Sequence, residues 1–164
     1  MSIVIPGETV CPICEAHLGE PYLSTSGIAF PKDHELWRYC DTALHQSCLE
    51  KWPKRKEFAE GYYRAAVSAA QNGYGVLLLE GDDWLLACGR PVADNPPVYV
   101  EVRLREWPLR LYSLWENWLN FVGDGYRTGL TGETLWAASK CMREVRRIAP
   151  DAHMLALMLE SRLG

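Results

Sequence analysis

The sequence predicts an α+β fold in which a loop-rich N-terminal module is joined to a helix, a three-stranded antiparallel meander and C-terminal helices. Three observations carry this expectation. Residues 98–105 alternate, with Val98, Val100, Val102 and Leu104 set against Tyr99, Glu101, Arg103 and Arg105, which is the period of a half-buried strand. Helical periods lie before and after the strands rather than between them, the arrangement of α+β rather than α/β proteins. Residues 8–55 hold four of the six Cys and three of the four His but little sustained period.

The elements follow in order. From Glu57, Phe58, Tyr62, Ala65 and Ala69 recur at helical spacing, and Asn72-Gly73 ends the pattern. Val76–Leu79 and Trp84–Cys88 are short apolar runs around Glu80-Gly81-Asp82-Asp83, a hairpin pattern. Residues 91–97 form a loop, and the strand over 98–105 completes the meander. Ser113-Leu114-Trp115-Glu116 fits a capping box that opens a helix with Trp115, Trp118, Leu119 and Val122 on one stripe and Gly123 at its end. Thr131 caps a helix carrying Leu135, Ala138, Met142 and Val145, stopped by Pro150. Asp151 caps a last one with Leu155, Met158, Leu159 and Leu163.

Hydrophobic and charged shares of 48% and 23% match soluble globular chains. The length of 164 residues suits one domain with a small module attached, here divided as residues 1–56 and 57–164. A net charge of −4 gives no concentrated positive field for phosphate, so nucleic acid is disfavoured as a partner. No segment approaches the ~20 apolar residues of a membrane span. The stretch from Met1 to Gly7 lacks a charged and then apolar signal pattern, so the expected location is cytoplasmic. Thiols stay reduced there, and six cysteines then point to metal.

Cys11-Pro12-Ile13-Cys14 and His45-Gln46-Ser47-Cys48 form two close pairs, separated by residues 15–44. A Cys-x-x-Cys turn aims two thiolates at one point, and a second pair completes a tetrahedron, which zinc accepts as Cys₃His. One structural Zn²⁺ bound by Cys11, Cys14, His45 and Cys48 is therefore expected, making residues 1–56 a zinc knuckle. A redox pair would open a helix after a strand, and Pro6, Gly7 and Pro12 argue against that context. Cys40 either replaces one of the four or packs as a small buried hydrophobe. His17 and His34 read as surface or supporting residues, and Cys88 and Cys141 as core.

Cys11-x₂-Cys14 is followed, beyond residues 15–39, by Cys40-x-Thr42-x₂-His45-x₂-Cys48 and then by Leu49 and Trp52. This pattern resembles the first two-thirds of a RING finger, or a treble-clef-like knuckle. The resemblance implies a cross-braced pair of zinc sites with Cys11, Cys14, His45 and Cys48 in the first. The second lacks ligands, because Thr42 stands at the fourth position and no Cys-x₂-Cys follows Trp52. Ubiquitin-ligase activity needs the surface built by both metals, so the resemblance implies binding without ubiquitin transfer. Residues 74–122, ending in Ser113-Leu114-Trp115-Glu116-Asn117-Trp118-Leu119, resemble the SUKH superfamily without its Gly-rich signature. Many bacterial members of that superfamily are immunity proteins that neutralise a toxin.

The remaining motifs are structural. Lys51, Lys54, Arg55 and Lys56 read as a solvated linker, with phosphate contact as the alternative. Arg143, Arg146 and Arg147 complement the carbonyl end of a helix. Asp82 and Asp83 suit a turn, His153 has no evident partner, and no catalytic set emerges. The expected function is protein–protein recognition of adaptor or immunity type, by a non-enzyme that is monomeric or a small oligomer. Tyr22, Phe30, Trp37, Tyr39 and Trp52 are the candidate contact aromatics. A nucleic-acid-binding knuckle and a RING-derived ligase-like factor are the alternatives.

Overall fold

The structure is a computed structural model describing residues 3–92 and 95–164. Met1, Ser2, Ala93 and Asp94 fall outside it, so the N-terminal reading and the loop expected over 91–97 are described only in part.

Two short strands, β1 (Tyr22–Ser24) and β2 (Ala43–His45), pair antiparallel with Tyr22 opposite His45. β2 runs directly into a short helix, α1 (Gln46–Lys51), and Pro53 separates this from α2 (Arg55–Gln71). A four-stranded antiparallel sheet follows in simple order: β3 (Val76–Glu80), β4 (Trp84–Cys88), β5 (Tyr99–Leu104) and β6 (Arg110–Leu114). The chain closes with α3 (Trp118–Gly123), α4 (Gly132–Ile148) and α5 (Ala152–Leu163). The α+β class holds, and among the described residues the helices do not alternate with the strands.

The expected three-stranded meander is a four-stranded sheet. Ser113 does not cap a helix. It lies in β6 opposite Val100, and its hydroxyl donates to the Leu114 carbonyl at 2.9 Å. The helical turn begins at Trp115 without a side-chain cap. The reason is long-range: Leu109, Leu111, Ser113 and Trp115 are buried while Arg110, Tyr112 and Leu114 are exposed. This period of two lets Leu111 sit opposite Val102, and pairing over a buried face outweighs a local capping signal.

The sheet is covered on both faces. Tyr63 of α2 packs with Leu85 and Ala87 on one side, while Leu86, Val100 and Val102 join the C-terminal helices on the other. β4 is accordingly buried along its whole length. Coverage by α2 also explains why Glu101, expected at the surface, is buried. Val98, expected inside, is 70% exposed because the strand starts one residue later. The buried stripe of α2 is Phe58, Ala59, Tyr62 and Tyr63; Ala65 is exposed. Leu119 and Leu163 are likewise exposed rather than core. Asp151 caps α5 as expected, accepting the Met154 amide at 2.9 Å.

Residues 1–56 join the rest through α1. Gln46 is 1% exposed. Its amide nitrogen donates to the Gly129 carbonyl, and its oxygen accepts from the Thr131 amide at 2.9 Å and hydroxyl at 3.2 Å. Thr131 occupies the cap position of α4, but its side chain makes no bond to the helix amides. Glu50 takes that role, accepting the Glu133 and Thr134 amides at 2.9 and 3.4 Å. A carboxylate here satisfies orphan amides and complements the helix dipole. Gly132 makes room for it: φ is +54°, and a Cβ would stand 2.6 Å from Glu50 Oε1.

Glu50→Ala should therefore destabilise the protein by about 1–2 kcal/mol, the worth of a charged helix cap, read as a lower urea midpoint. Glu50→Gln, which keeps an acceptor, should lose less. An unchanged midpoint for Glu50→Ala would contradict the assigned cap.

Candidate metal centre

Three backbone features bring four soft ligands together. Residues 11–16 turn back on themselves, with the Cys11 amide donating to the Ala16 carbonyl at 2.9 Å and the Glu15 amide to the Cys11 carbonyl at 2.7 Å. Glu15 adopts φ of +61° to close this turn. Pairing of β1 with β2 then fixes His45 at the end of its strand. The immediate start of α1 sets Cys48 one turn further on, on the same side as His45.

The Sγ atoms of Cys11, Cys14 and Cys48 and a ring nitrogen of His45 all lie within 4.8 Å of one another. His45 Nδ1 is 3.4 Å from Cys14 Sγ and 3.7 Å from Cys48 Sγ. A tetrahedral ion with bonds of about 2.3 Å to sulfur and about 2.0–2.1 Å to nitrogen would set S and N about 3.6 Å apart. The cluster thus fits one tetrahedral metal ion, with every position filled by the chain. Cys11 is buried, His45 and Cys48 are half-buried, and Cys14 is exposed.

The thiols differ electrostatically. A hydrogen bond from the Ala16 amide is the main influence lowering the Cys14 pKa, and bonds with Cys48 and His45 add to it. Burial is the main influence raising that of Cys48, reinforced by the thiols of Cys14 and Cys11. A divalent cation at the centre would stabilise the thiolates together and displace their protons. The Gly19 amide donates to His45 Nε2 at 3.0 Å. A metal held by Nδ1 would leave the ring proton on Nε2, the nitrogen that faces Gly19.

The other candidates lie elsewhere. Cys40 is half-buried outside the cluster, with its thiol 3.9 Å from the Leu36 carbonyl. His17 is exposed, and His34 Nδ1 accepts the Leu36 amide at 3.1 Å. Cys88 and Cys141 are buried. Of the candidate contact aromatics, Phe30, Tyr39 and Trp52 turn inward. Phe30 stacks on Phe58 at 5.8 Å, and Trp52 lies between Tyr39 and Phe58 at 4.6 and 5.3 Å. Tyr22 is half-buried on β1, and Trp37 is 36% exposed.

The sequence reading misses three residues that support the site. Tyr62 clamps the loop between the ligand pairs, donating to the Gly27 carbonyl at 2.8 Å and accepting the Asp41 amide at 3.3 Å. Gln46 and Glu50 dock α1 as described. None of these is signalled locally, since their partners lie 21 to 85 positions away. The basic run is largely engaged: Lys54 with Glu35, Lys56 with Glu106 at 2.6 Å, and Arg55 over the Trp107 ring at 3.8 Å.

Among the described residues no helix is long and apolar enough to cross a membrane. No protein-family model matches the chain, and no curated protein or solved structure shows a significant match. The likenesses to RING fingers and to the SUKH superfamily therefore rest on the residues alone, and for the latter Ser113 stands in a strand rather than at a helix start.

Cys14→Ser should release the metal and loosen residues 8–55, seen as faster amide exchange there. Cys40→Ser and Cys141→Ser should both retain one equivalent. Full metal content in all three variants by native mass spectrometry would overturn the ligand assignment.

Proposed function

We propose that the chain is a zinc-stabilised protein-recognition module of adaptor or immunity type, acting by binding without turnover. The observation that carries this is the cluster of Cys11, Cys14, His45 and Cys48, whose four donor atoms lie within 4.8 Å of one another. Three thiolates and one imidazole favour zinc among ions of this geometry. Four protein donors leave no coordination position for a substrate or an activated water, which supports a structural rather than a catalytic metal.

The metal holds a loop surface that is otherwise ordered by aromatic packing. Phe30, Tyr39 and Trp52 fasten the loop to Phe58 of α2, while Trp37 remains accessible beside Arg38. Tyr22 and Trp37 are thus the contact aromatics this reading assigns to a partner, and the other three act as support. The ligase-like alternative is disfavoured because Cys40 faces the Leu36 carbonyl rather than a second set of ligands. The nucleic-acid alternative loses most of its basic run to Glu35, Glu106 and Trp107.

Protein prepared without chelator should carry one zinc per chain and bind a protein partner from its native host. Trp37→Ala should weaken that complex about tenfold, as loss of an aromatic anchor does, with zinc content unchanged. Tight binding of oligonucleotide that falls steeply with salt and with neutralisation of Lys51 and Lys54 would replace this reading with the nucleic-acid one.

A further inference from the structure

On the helix–sheet body, away from the metal cluster, a cavity of about 190 Å³ opens between the β3–β4 turn, the β5–β6 connection and α4. Its walls include Trp84, Trp107 and Trp136. Trp84 and Trp107 are buried, but Trp136 is 68% exposed. An indole left largely in water beside a cavity retains apolar area and a π-face for an incoming group.

The charge around these rings is unbalanced. Asp82, Asp83, Glu106 and Glu144 line the cavity with Lys140 as the cation among its lining residues. Lys140 lies 3.7 Å from Asp83, and Lys56 reaches Glu106 at 2.6 Å. Asp82 and Glu144 have no cationic partner among the described residues. Glu144 accepts the Trp84 indole N–H at 2.9 Å, which fixes this carboxylate beside the ring. The chain itself illustrates the cation–aromatic contact such walls offer, with the Arg55 guanidinium 3.8 Å from the Trp107 ring centroid.

We propose that this cavity receives a Lys or Arg side chain from a basic segment of a protein partner, the cation resting on Trp136 and facing Asp82 and Glu144. The inference rests on the protein-recognition reading and gives the partner its chemistry. Charge complementarity selects a cation, and the aromatic walls favour one carried on an apolar stem. The volume is below the roughly 300–1,000 Å³ of small-molecule sites, which suits a single long side chain delivered by a larger partner.

The test uses the zinc-loaded full chain, whose seven Trp give separate indole N–H signals in nitrogen-15 spectra. Amidated hexa-arginine should move the signals of Trp84, Trp107 and Trp136 saturably, leaving Trp37 and Trp52 in place, and hexa-glutamate should move none. Trp136→Ala and Glu144→Gln should each weaken hexa-arginine by about fivefold or more, the scale of one cation–π or charge-assisted contact. Glu160→Gln, on α5, makes the same change in net charge and should alter affinity by less than about twofold, as a remote surface charge does. Trp136 is exposed and Gln keeps an acceptor for Trp84, so both cavity variants should fold.

Equal losses for Glu144→Gln and Glu160→Gln, or shifts spread over all the indoles, would mean diffuse attraction and overturn the proposal. The titration needs no native partner. Its failure therefore leaves recognition through Trp37 standing, whereas failure of the wild-type chain to retain any native partner strikes that reading instead.

Discussion

The structure depends on a short helix that belongs to two assemblies at once. His45 and Cys48 face the metal cluster, while Gln46 and Glu50 grip the segment that starts α4. Leu49, between them, is buried in the common core. A helix as short as α1 has little stability of its own in water. One side of it carries two members of the Cys11, Cys14, His45 and Cys48 cluster, and the other side is held by hydrogen bonds to orphan amides. Order at the metal cluster and order at the N-terminus of α4 are consequently linked through a short run of backbone.

The loop between the two Cys/His pairs is ordered by more than the cluster at its ends. Few of residues 15–44 are buried, Thr25, Leu36, Ala43 and Leu44 among them, so the stretch offsets little of its ordering entropy by itself. The four donor atoms gathered at its ends would fix them through a bound metal, and the middle is fixed by rings packed on α2. Gly61 permits that approach, since a Cβ there would lie 2.2 Å from the Phe30 ring. Tyr62 adds the polar clamp to Gly27 and Asp41. Aromatic contacts of this kind contribute about 0.5–1.5 kcal/mol each beyond area burial, and several acting together hold the loop on α2.

Features governed by local chemistry are legible in the sequence. The ligand pairs are visible because tetrahedral coordination restricts spacing. Val100, Val102 and Leu104 are visible because burial of one sheet face imposes a period of two, and Asp151 because a helix start needs an acceptor. What escapes is set by distant partners. Ser113 carries a capping pattern, yet β5 offers a better use of the residues on either side of it. Thr131 stands at a cap position, but Gln46 and Glu50 arrive from 85 and 83 positions away and take over the amides there. The aromatics expected on a binding face are divided by the position of α2, which no residue between 22 and 52 encodes. Trp136 escapes for the same reason, since its importance lies in what the β3–β4 turn and β5–β6 connection place beside it.

A closed centre with three sulfur ligands and one nitrogen is the claim on which the scaffold reading stands. X-ray absorption at the metal edge of the chelator-free protein measures it most directly. The expected spectrum is a zinc edge with three sulfurs at about 2.3 Å and one nitrogen at about 2.0–2.1 Å, with no oxygen from water. A four-sulfur shell would place Cys40 among the ligands. A shell with an oxygen ligand would make the site open, and either result would rule out a closed Cys₃His centre.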